Sequence, residues 1–405
     1  MKRILIHTLV FGPDGVSTAY LYNDIAAAFA EAGWQVDVVT TTPHFNPPQP
    51  SVAGSAKLSS ANDPASLPGI RVRRVPMKRF LQIWSRMAGF VWWHLASFFI
   101  ILFSRKPDVI LSPSPPPTIG FLNLGLGWLK RCKVVYNVQE IYPDILQDLH
   151  GLPLKVLRWM ERRIYDGSDA IVTIDSVFRD TIAPRFKDQS HLHIIPNFVD
   201  TDFYRPLPCP DEDGPLRMLY AGNIGLAQDW DILLALAEKT RDLPLEYLVV
   251  GDGLRKNYLR EAAAARGLSN IVLQPYTARE EMPRLLSESD LNFIFMEPRM
   301  DRQGFPSKVY SIMSCARPLL ISSGESTPIV NFLAGHRFAR LETDPDIEAR
   351  LASMESWLRG LFSGEGSPRK LLREMGRGAR EIIEQDYSRQ AVTAKYIKLM
   401  EELTR

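Results

Sequence analysis

Short apolar runs alternate with longer stretches of helical spacing along nearly the whole chain. Arg3 to Val10 reads as a strand, Phe11-Gly12-Pro13-Asp14-Gly15 as a turn, Ser17 to Ala32 as a helix and Gln35 to Thr40 as a second strand. Gly33-Trp34 ends that helix, because a glycine just past the last periodic residue takes the left-handed backbone a helix stop requires. The opening is therefore a βαβ unit. Strand-like runs recur at Ile70–Val75, Val109–Leu111, Val134–Asn137, Ala170–Thr173 and His193–Ile195, with helical stretches such as Leu154 to Tyr165 between most of them. Such alternation builds a parallel sheet covered on both faces. The polar stretch from Thr42 to Leu67 is long enough to serve as a flap.

Periodicity lapses from Pro206 to Pro215, the best linker candidate, and a second series follows. Strands are expected at Arg217–Ala221, Tyr247–Val250, Ile271–Leu273, Leu291–Phe295 and Leu319–Ile321. Helices are expected at Trp230–Thr240, Lys256–Arg266, Glu280–Glu288, Lys308–Ser314, Asp346–Leu361 and, last, Arg389 to Leu403. The pattern predicts an α/β fold of two doubly wound domains over residues 1–205 and 206–385, with a terminal helix over 386–405. Open sheets of this kind bind ligands beyond the carboxyl ends of their strands.

Composition changes this picture little. A chain of 405 residues exceeds the size of one ordinary core, and 45% hydrophobic with 23% charged residues is globular. The net charge of +2 argues against a nucleic-acid binder with a broad basic surface. Cys132, Cys209 and Cys315 are too scattered for a disulfide framework or a metal motif, and they suit a reducing compartment. Met1-Lys2-Arg3 before Ile4-Leu5-Ile6 fits a first strand better than a signal peptide, since His7 breaks the apolar run. Met87 to Ser104 holds no acid, Lys or Arg. It is near the minimum length to span a bilayer, but His94 within it favours a buried or membrane-dipping helix.

Chemistry concentrates where strands give way to helices. Gly15-Val16-Ser17 offers amide groups and a favourable dipole to an anion, or is only a tight turn with a serine cap. Thr40-Thr41-Thr42 stands where a dinucleotide fold needs an acid, so an NAD site is weakly supported. Gly222-Asn223-Ile224-Gly225 and Gly251-Asp252-Gly253 permit close approach of backbone to ligand. Gln303-Gly304-Phe305-Pro306-Ser307-Lys308 says most. Pro306 suits a first helical turn, and the amides near Ser307 together with Lys308 could hold a diphosphate. A lysine at a helix start opposes the dipole, so an anionic ligand, or failing that Glu297 or Asp301, should offset it. Glu140, after Val138-Gln139, is either a helix-capping carboxylate or a group that reaches an acceptor. No spacing resembles a zinc site.

These segments, with Lys106-Pro107-Asp108, Tyr142-Pro143 and Pro196-Asn197-Phe198-Val199-Asp200, resemble the family 4 retaining glycosyltransferases of the two-domain GT-B type. The likeness is to the branch that builds bacterial surface polysaccharide, lipopolysaccharide included. It covers almost the whole chain. It implies two Rossmann-like domains facing a central cleft, with the nucleotide-sugar in the second and the acceptor in the first. The donor would be a UDP-sugar, less readily a GDP-sugar, with no bound metal. Carried over residue by residue, Gly15, Val16, Gly222, Asn223, Gly225, Gly251, Gly253, Tyr276, Gln303, Phe305, Pro306, Ser307, Lys308 and Ser311 would hold the donor. Lys308, Glu140 and Gln139 would serve the reaction. The chain departs from the family where Gln303 and Ser311 replace two glutamates, Gln139 a histidine, and Asn223 and, loosely, Gln228 an Arg and a Lys. A nucleotide-sugar 2-epimerase and a non-catalytic subunit of the same fold stay open as alternatives.

The run from Phe80 to Phe103 is rich in aromatics, Trp84, Trp92 and Trp93 among them, and is flanked by Arg79, Arg86 and Arg105-Lys106. Aromatic residues with cationic ends suit a headgroup interface, although aromatics also fill cores. The expected partner is an anionic lipid surface, with attachment to the inner face of the cell membrane from the cytoplasm. The expected acceptor is a polyprenyl-diphosphate-linked saccharide.

Overall fold

The computed structural model describes residues 1–44, 68–77, 83–146, 150–208, 214–299, 305–364 and 366–405. Gln303, Asp301, Arg79, Phe80, Cys209, most of the expected flap and the acidic part of the linker lie outside the described residues. The chain forms two compact units, Met1–Asn197 with Gln390–Arg405, and Phe198–Arg389.

The first unit contains β1 (Arg3–His7), α1 (Ser17–Glu31), β2 (Gln35–Thr41), β3 (Ile70–Val75), α2 (Ile83–Leu102), β4 (Val109–Pro113) and α3 (Thr118–Lys130). It continues with β5 (Lys133–Val138), α4 (Gly151–Gly167), β6 (Ala170–Thr173), α5 (Ser176–Ile182) and β7 (Leu192–Ile194). Its strands, all parallel, run in the order β3-β2-β1-β4-β5-β6-β7. Right-handed crossovers put helices that lead in opposite directions along a sheet on opposite faces. α1 therefore covers one face, while α2, α3 and α4 line the other, α2 packed on α3 and α3 on α4.

The second unit contains β8 (Leu216–Ala221), α6 (Trp230–Lys239), β9 (Leu245–Val250), α7 (Lys256–Ala265), β10 (Ile271–Gln274), α8 (Met282–Glu288), β11 (Leu291–Phe295) and α9 (Lys308–Ser314). It is completed by β12 (Leu319–Ser322), α10 (Pro328–Leu333), β13 (Ala339–Glu342), α11 (Ile347–Ser363) and α12 (Pro368–Asp386). The order β10-β9-β8-β11-β12-β13 is again wholly parallel. One core lies under α6, α7 and α11, and another under α8, α9, α10 and α12. The last helix, α13 (Arg389–Leu403), belongs to the first unit. There Tyr396 and Met400 are fully buried.

Two expectations need correction. The chain changes unit at Asn197–Phe198, before the proline-rich stretch. Val199 pairs with Ser388, and the carbonyls of Thr201 and Tyr204 accept from Arg380 at 3.2 and 3.0 Å, so these residues are held by the second unit. Trp93 is no interfacial residue. It is 0% exposed and packs on the His7 ring, 5.2 Å between centroids, whereas Trp92 is 54% exposed. Gly89, Trp93, Ser97 and Ile101, four apart, turn inward. Among the described residues no helix is long and apolar enough to cross a membrane.

Candidate functional site

The second sheet reverses its strand order between β8 and β11, and the crevice at such a reversal is where open α/β sheets take ligands. β8 ends in Tyr220 and Ala221, and the chain then turns through Gly222. Beyond β11 it returns to open α9 at Lys308. The Lys308 ammonium sits 3.5 Å from the centroid of the Tyr220 ring, a cation held against the negative face of an aromatic. A Cβ on Gly222 would stand 2.7 Å from Lys308 Nζ and would push the ammonium aside. Gly222 has φ +145, and Gly251 φ +150 with a backbone so close that a Cβ there would fall on the Gly222 carbonyl oxygen. The Tyr220 hydroxyl donates to the Asn223 carbonyl at 2.7 Å and fixes the turn.

No carboxylate among the described residues pairs with Lys308. Loss of water around its ammonium pushes the pKa down to about 7. Glu297, one of the two alternatives to an anionic ligand, has Arg299 and Arg255 as its cations instead. What the arrangement offers is a cation with an aromatic beneath it, glycine backbone beside it and, among the described residues, no paired carboxylate.

The other expected residues divide. Gly225 accepts from Trp230 Nε1 at 2.9 Å, and Asn223 is exposed. The Asn223 and Gly253 loops interlock, since a Cβ on Gly253 would meet Asn223 Oδ1 at 2.5 Å. Ser307 is the N-cap of α9 without a side-chain bond, so Pro306 precedes the cap instead of lying in the first turn. Ser311 spends its proton on the Lys308 carbonyl, 2.9 Å away. Phe305 packs into an aromatic cluster with Tyr310 and Phe332, each 5.2 Å between centroids. It anchors the loop. Gln228 is buried, with its amide on the Ala227 carbonyl and Met296 Sδ. Tyr276 follows β10, two strands from β8, with its ring exposed. Lys256 was missed. Its Nζ donates to the Gly251 carbonyl at 2.7 Å, and a lysine five residues after the glycine was the available sign.

In the first unit, Gly15 leads to Val16, which is the N-cap of α1. Its carbonyl accepts from Ala19 and Tyr20 at 3.0 and 3.2 Å, and no side chain caps the turn. Ser17 is thus the first helical residue, not the cap. Beyond β5, Ser114 Oγ accepts from the amides of Gln139 and Glu140 at 3.1 and 2.9 Å. Glu140 Oε2 accepts from the Tyr142 hydroxyl at 3.0 Å, and burial raises its pKa. Gln139 is tied inward at both ends, Nε2 donating to Asn137 Oδ1 at 3.0 Å and Oε1 accepting from Asn197 at 2.9 Å. These two bonds fix the side chain and leave one Nε2 proton uncommitted. A cavity of about 320 Å³ beside Tyr142–Pro143 has Leu146, His150, Leu154 and Arg158 in its lining. Among the described residues no three His, Cys, Asp or Glu side chains are grouped to hold a metal.

Residues 18–197 match the family model of a glycosyl transferase 4-like domain. With two Rossmann-like units and this site, the chain is a glycosyltransferase of the GT-B class. It is related to bacterial surface-polysaccharide glycosyltransferases. The "Putative colanic acid biosynthesis glycosyl transferase WcaI" of Escherichia coli (strain K12) is 22% identical over 352 residues, 81% of this chain and 84% of that protein. A glycosyltransferase of Rickettsia africae superposes with a TM-score of 0.73 at 11% identity, over 100% of this chain and 99% of that one. HepE of Anabaena, solved with UDP, gives 0.71 at 12%, over 99% and 100%. At such identities the likeness speaks for the fold.

Proposed function

We propose that this glycosyltransferase moves a sugar from a nucleotide-sugar, a UDP-sugar, to a lipid-linked saccharide in surface-polysaccharide biosynthesis, with retention at the anomeric carbon. The second unit holds the donor and the first the acceptor. One observation carries the reading: Lys308 is set over Tyr220 beside Gly222, and no carboxylate among the described residues pairs with it. As the glycosidic bond to the donor breaks, negative charge grows on the β-phosphate, and a preorganised cation in a site poor in water is worth most at that moment. Lys256 and the glycine backbone add to the same edge. The base preference for UDP is supported by the UDP bound to HepE, and the pathway by the colanic acid assignment of WcaI.

Glu140 orients the acceptor hydroxyl, and Leu146 and Leu154 in the nearby cavity offer apolar surface to a lipid tail. The enzyme attaches peripherally to the inner face of the cell membrane, supported by Trp92 and its exposed neighbours on α2. The test is a thermal-shift screen with UDP, GDP, ADP and TDP, since a ligand of the folded state raises the melting temperature by mass action. It is followed by turnover on prenyl-diphosphate-linked and soluble saccharides. UDP should stabilise most and the lipid-linked acceptor should react faster. Equal response to all four nucleotides, or preference for the soluble acceptor, contradicts the corresponding half.

A further inference from the structure

Resting on the peripheral attachment proposed above, we propose that the docking surface is the joint outer face of α2, α3 and α4, and that its partner is an anionic lipid bilayer. Met87, Val91, Leu95 and Phe99 of α2, with Phe103 just past its end, repeat at four-residue spacing, and all are more than half exposed. They form the side opposite the buried stripe of Trp93 and Ile101. α3 packs on α2 and exposes Phe121, Leu129 and Trp128, the last at 80%. α4 packs on α3 and exposes Leu152, Val156 and Trp159. The Phe121 and Trp159 rings meet at 5.5 Å and join the two helices into one surface. Single exposed apolar residues are ordinary, but three adjacent helices that all present them form a contiguous patch, which marks an interaction site.

Charge selects the occupant. From Ile83 to Lys133 the only acid is Asp108, and its Oδ2 is taken by the Arg3 amide at 2.7 Å. Exposed Arg105, Lys106 and Arg131 lie at the ends of α2 and α3. On α4, Lys155, Arg162 and Arg163 are exposed among the apolar residues, and the Arg163 guanidinium lies 5.7 Å from the centre of the Trp159 ring. Glu161 of the same helix is buried against Arg185 at 2.7 Å. Long basic side chains can lay their stems along apolar surface and raise their heads to phosphates. Asp166 is the exposed acid of α4, set against exposed Lys155, Arg158, Arg162 and Arg163, so the face stays net basic. Aromatics interleaved with an excess of positive charge fit the boundary between headgroups and hydrocarbon. A protein partner would need acids to match, and a second copy of this face would set like charges against each other.

The experiment co-sediments the full chain with vesicles of phosphatidylcholine, with and without phosphatidylglycerol. The wild type should bind the anionic vesicles. Trp128→Ser with Trp159→Ser, which leaves α2 intact, should weaken that binding by about tenfold or more, as expected for two exposed aromatics that lose their burial. UDP-dependent thermal stabilisation should be unchanged. Lys155→Glu with Arg162→Glu alters only exposed positions and should erase the preference for phosphatidylglycerol. If these variants bind like the wild type while Trp92→Ser does not, α3 and α4 are no part of the surface and the attachment through α2 stands. If the wild type ignores every vesicle, the attachment itself is wrong. A wild-type dimer without lipid that the Trp128→Ser, Trp159→Ser variant turns into a monomer would make the patch a subunit interface and overturn the proposal.

Discussion

The Nδ2 amide of Asn137 donates to the Tyr396 hydroxyl at 3.0 Å, so the carboxyl end of β5 is bonded to a helix 259 residues further along the chain. The second proton of that amide goes to the Tyr22 hydroxyl at 3.1 Å, and Asn137 Oδ1 receives Gln139. Tyr396→Phe leaves a buried donor unpaired, which costs about 1–3 kcal/mol. Urea unfolding of the variant should show that loss. Removal of residues 389–405 also strips Val392, Leu399 and Met400 from the core, and should lower the melting temperature far more. A truncated chain that melts like the full one would show that α13 is dispensable.

Lys308 gives a pH dependence with a definite sign. Its pKa near 7 in the free protein means that it is mostly neutral above pH 7.5 and must take up a proton to meet a diphosphate. Nucleoside-diphosphate affinity should therefore be full below about pH 7. It should fall by up to about tenfold per pH unit as pH rises from 7.5, until the pKa of the complex is passed. Calorimetry in buffers of different ionisation enthalpy should detect proton uptake on binding. Lys308→Met should flatten the profile, and Lys308→Ala should lower turnover by about 10²-fold or more. The same group acts on stability in the opposite direction. The unfolded lysine binds its proton more tightly between pH 7 and 10.5, so this contribution to stability increases with pH over that range.

Glu140 is raised by burial and partly restrained by the Tyr142 hydroxyl. Tyr142→Phe removes the bond that favours the carboxylate, so the acid limb of the pH–rate profile should move to higher pH. Glu140→Gln should reduce kcat/KM for the acceptor by about 10²-fold or more and leave UDP binding as it was. Unchanged acceptor kinetics would remove Glu140 from the reaction.

A Cβ on Gly376 of α12 would fall on the Ala316 carbonyl oxygen just past α9. Gly376→Ala therefore forces the two helices apart. It should destabilise by about 1–3 kcal/mol, as overpacking does, despite alanine's higher helix propensity. Gly378→Ala, with open space around its Cβ, should be neutral or stabilising, so the pair separates packing from propensity. Denaturation midpoints of the two variants settle the comparison.

The alternation of short apolar runs with helical spacing was enough to locate most strands of both sheets, because parallel strands buried on both faces read as continuous apolar runs. α12 was hidden. Its Gly376 and Gly378 weaken the helical pattern, and the contact that requires Gly376 lies sixty residues away in sequence. Trp92 and Trp93 stand about 100° apart on a helix, and where neighbours on every side are apolar, spacing does not say which one faces the core. The glycine turns and Lys308 were legible because close backbone approach leaves a mark in residue type. Tyr220 beneath the lysine and the inward ties of Gln139 were not, since they depend on which strand ends meet.

The contact between Gly251 and the Gly222 carbonyl restricts how the donor edge can change over generations. Two loops that touch backbone to backbone have no side chain between them to trade, so neither can be altered without displacing the other and, with it, Lys308. If this edge holds the donor as proposed, its amide groups and cation would meet a phosphate whatever base or sugar it carries. A lineage that adopts a different nucleotide-sugar would therefore keep residues 222, 251 and 308 fixed and vary the exposed positions around them. Mutagenesis aimed at donor choice has its best prospects there too.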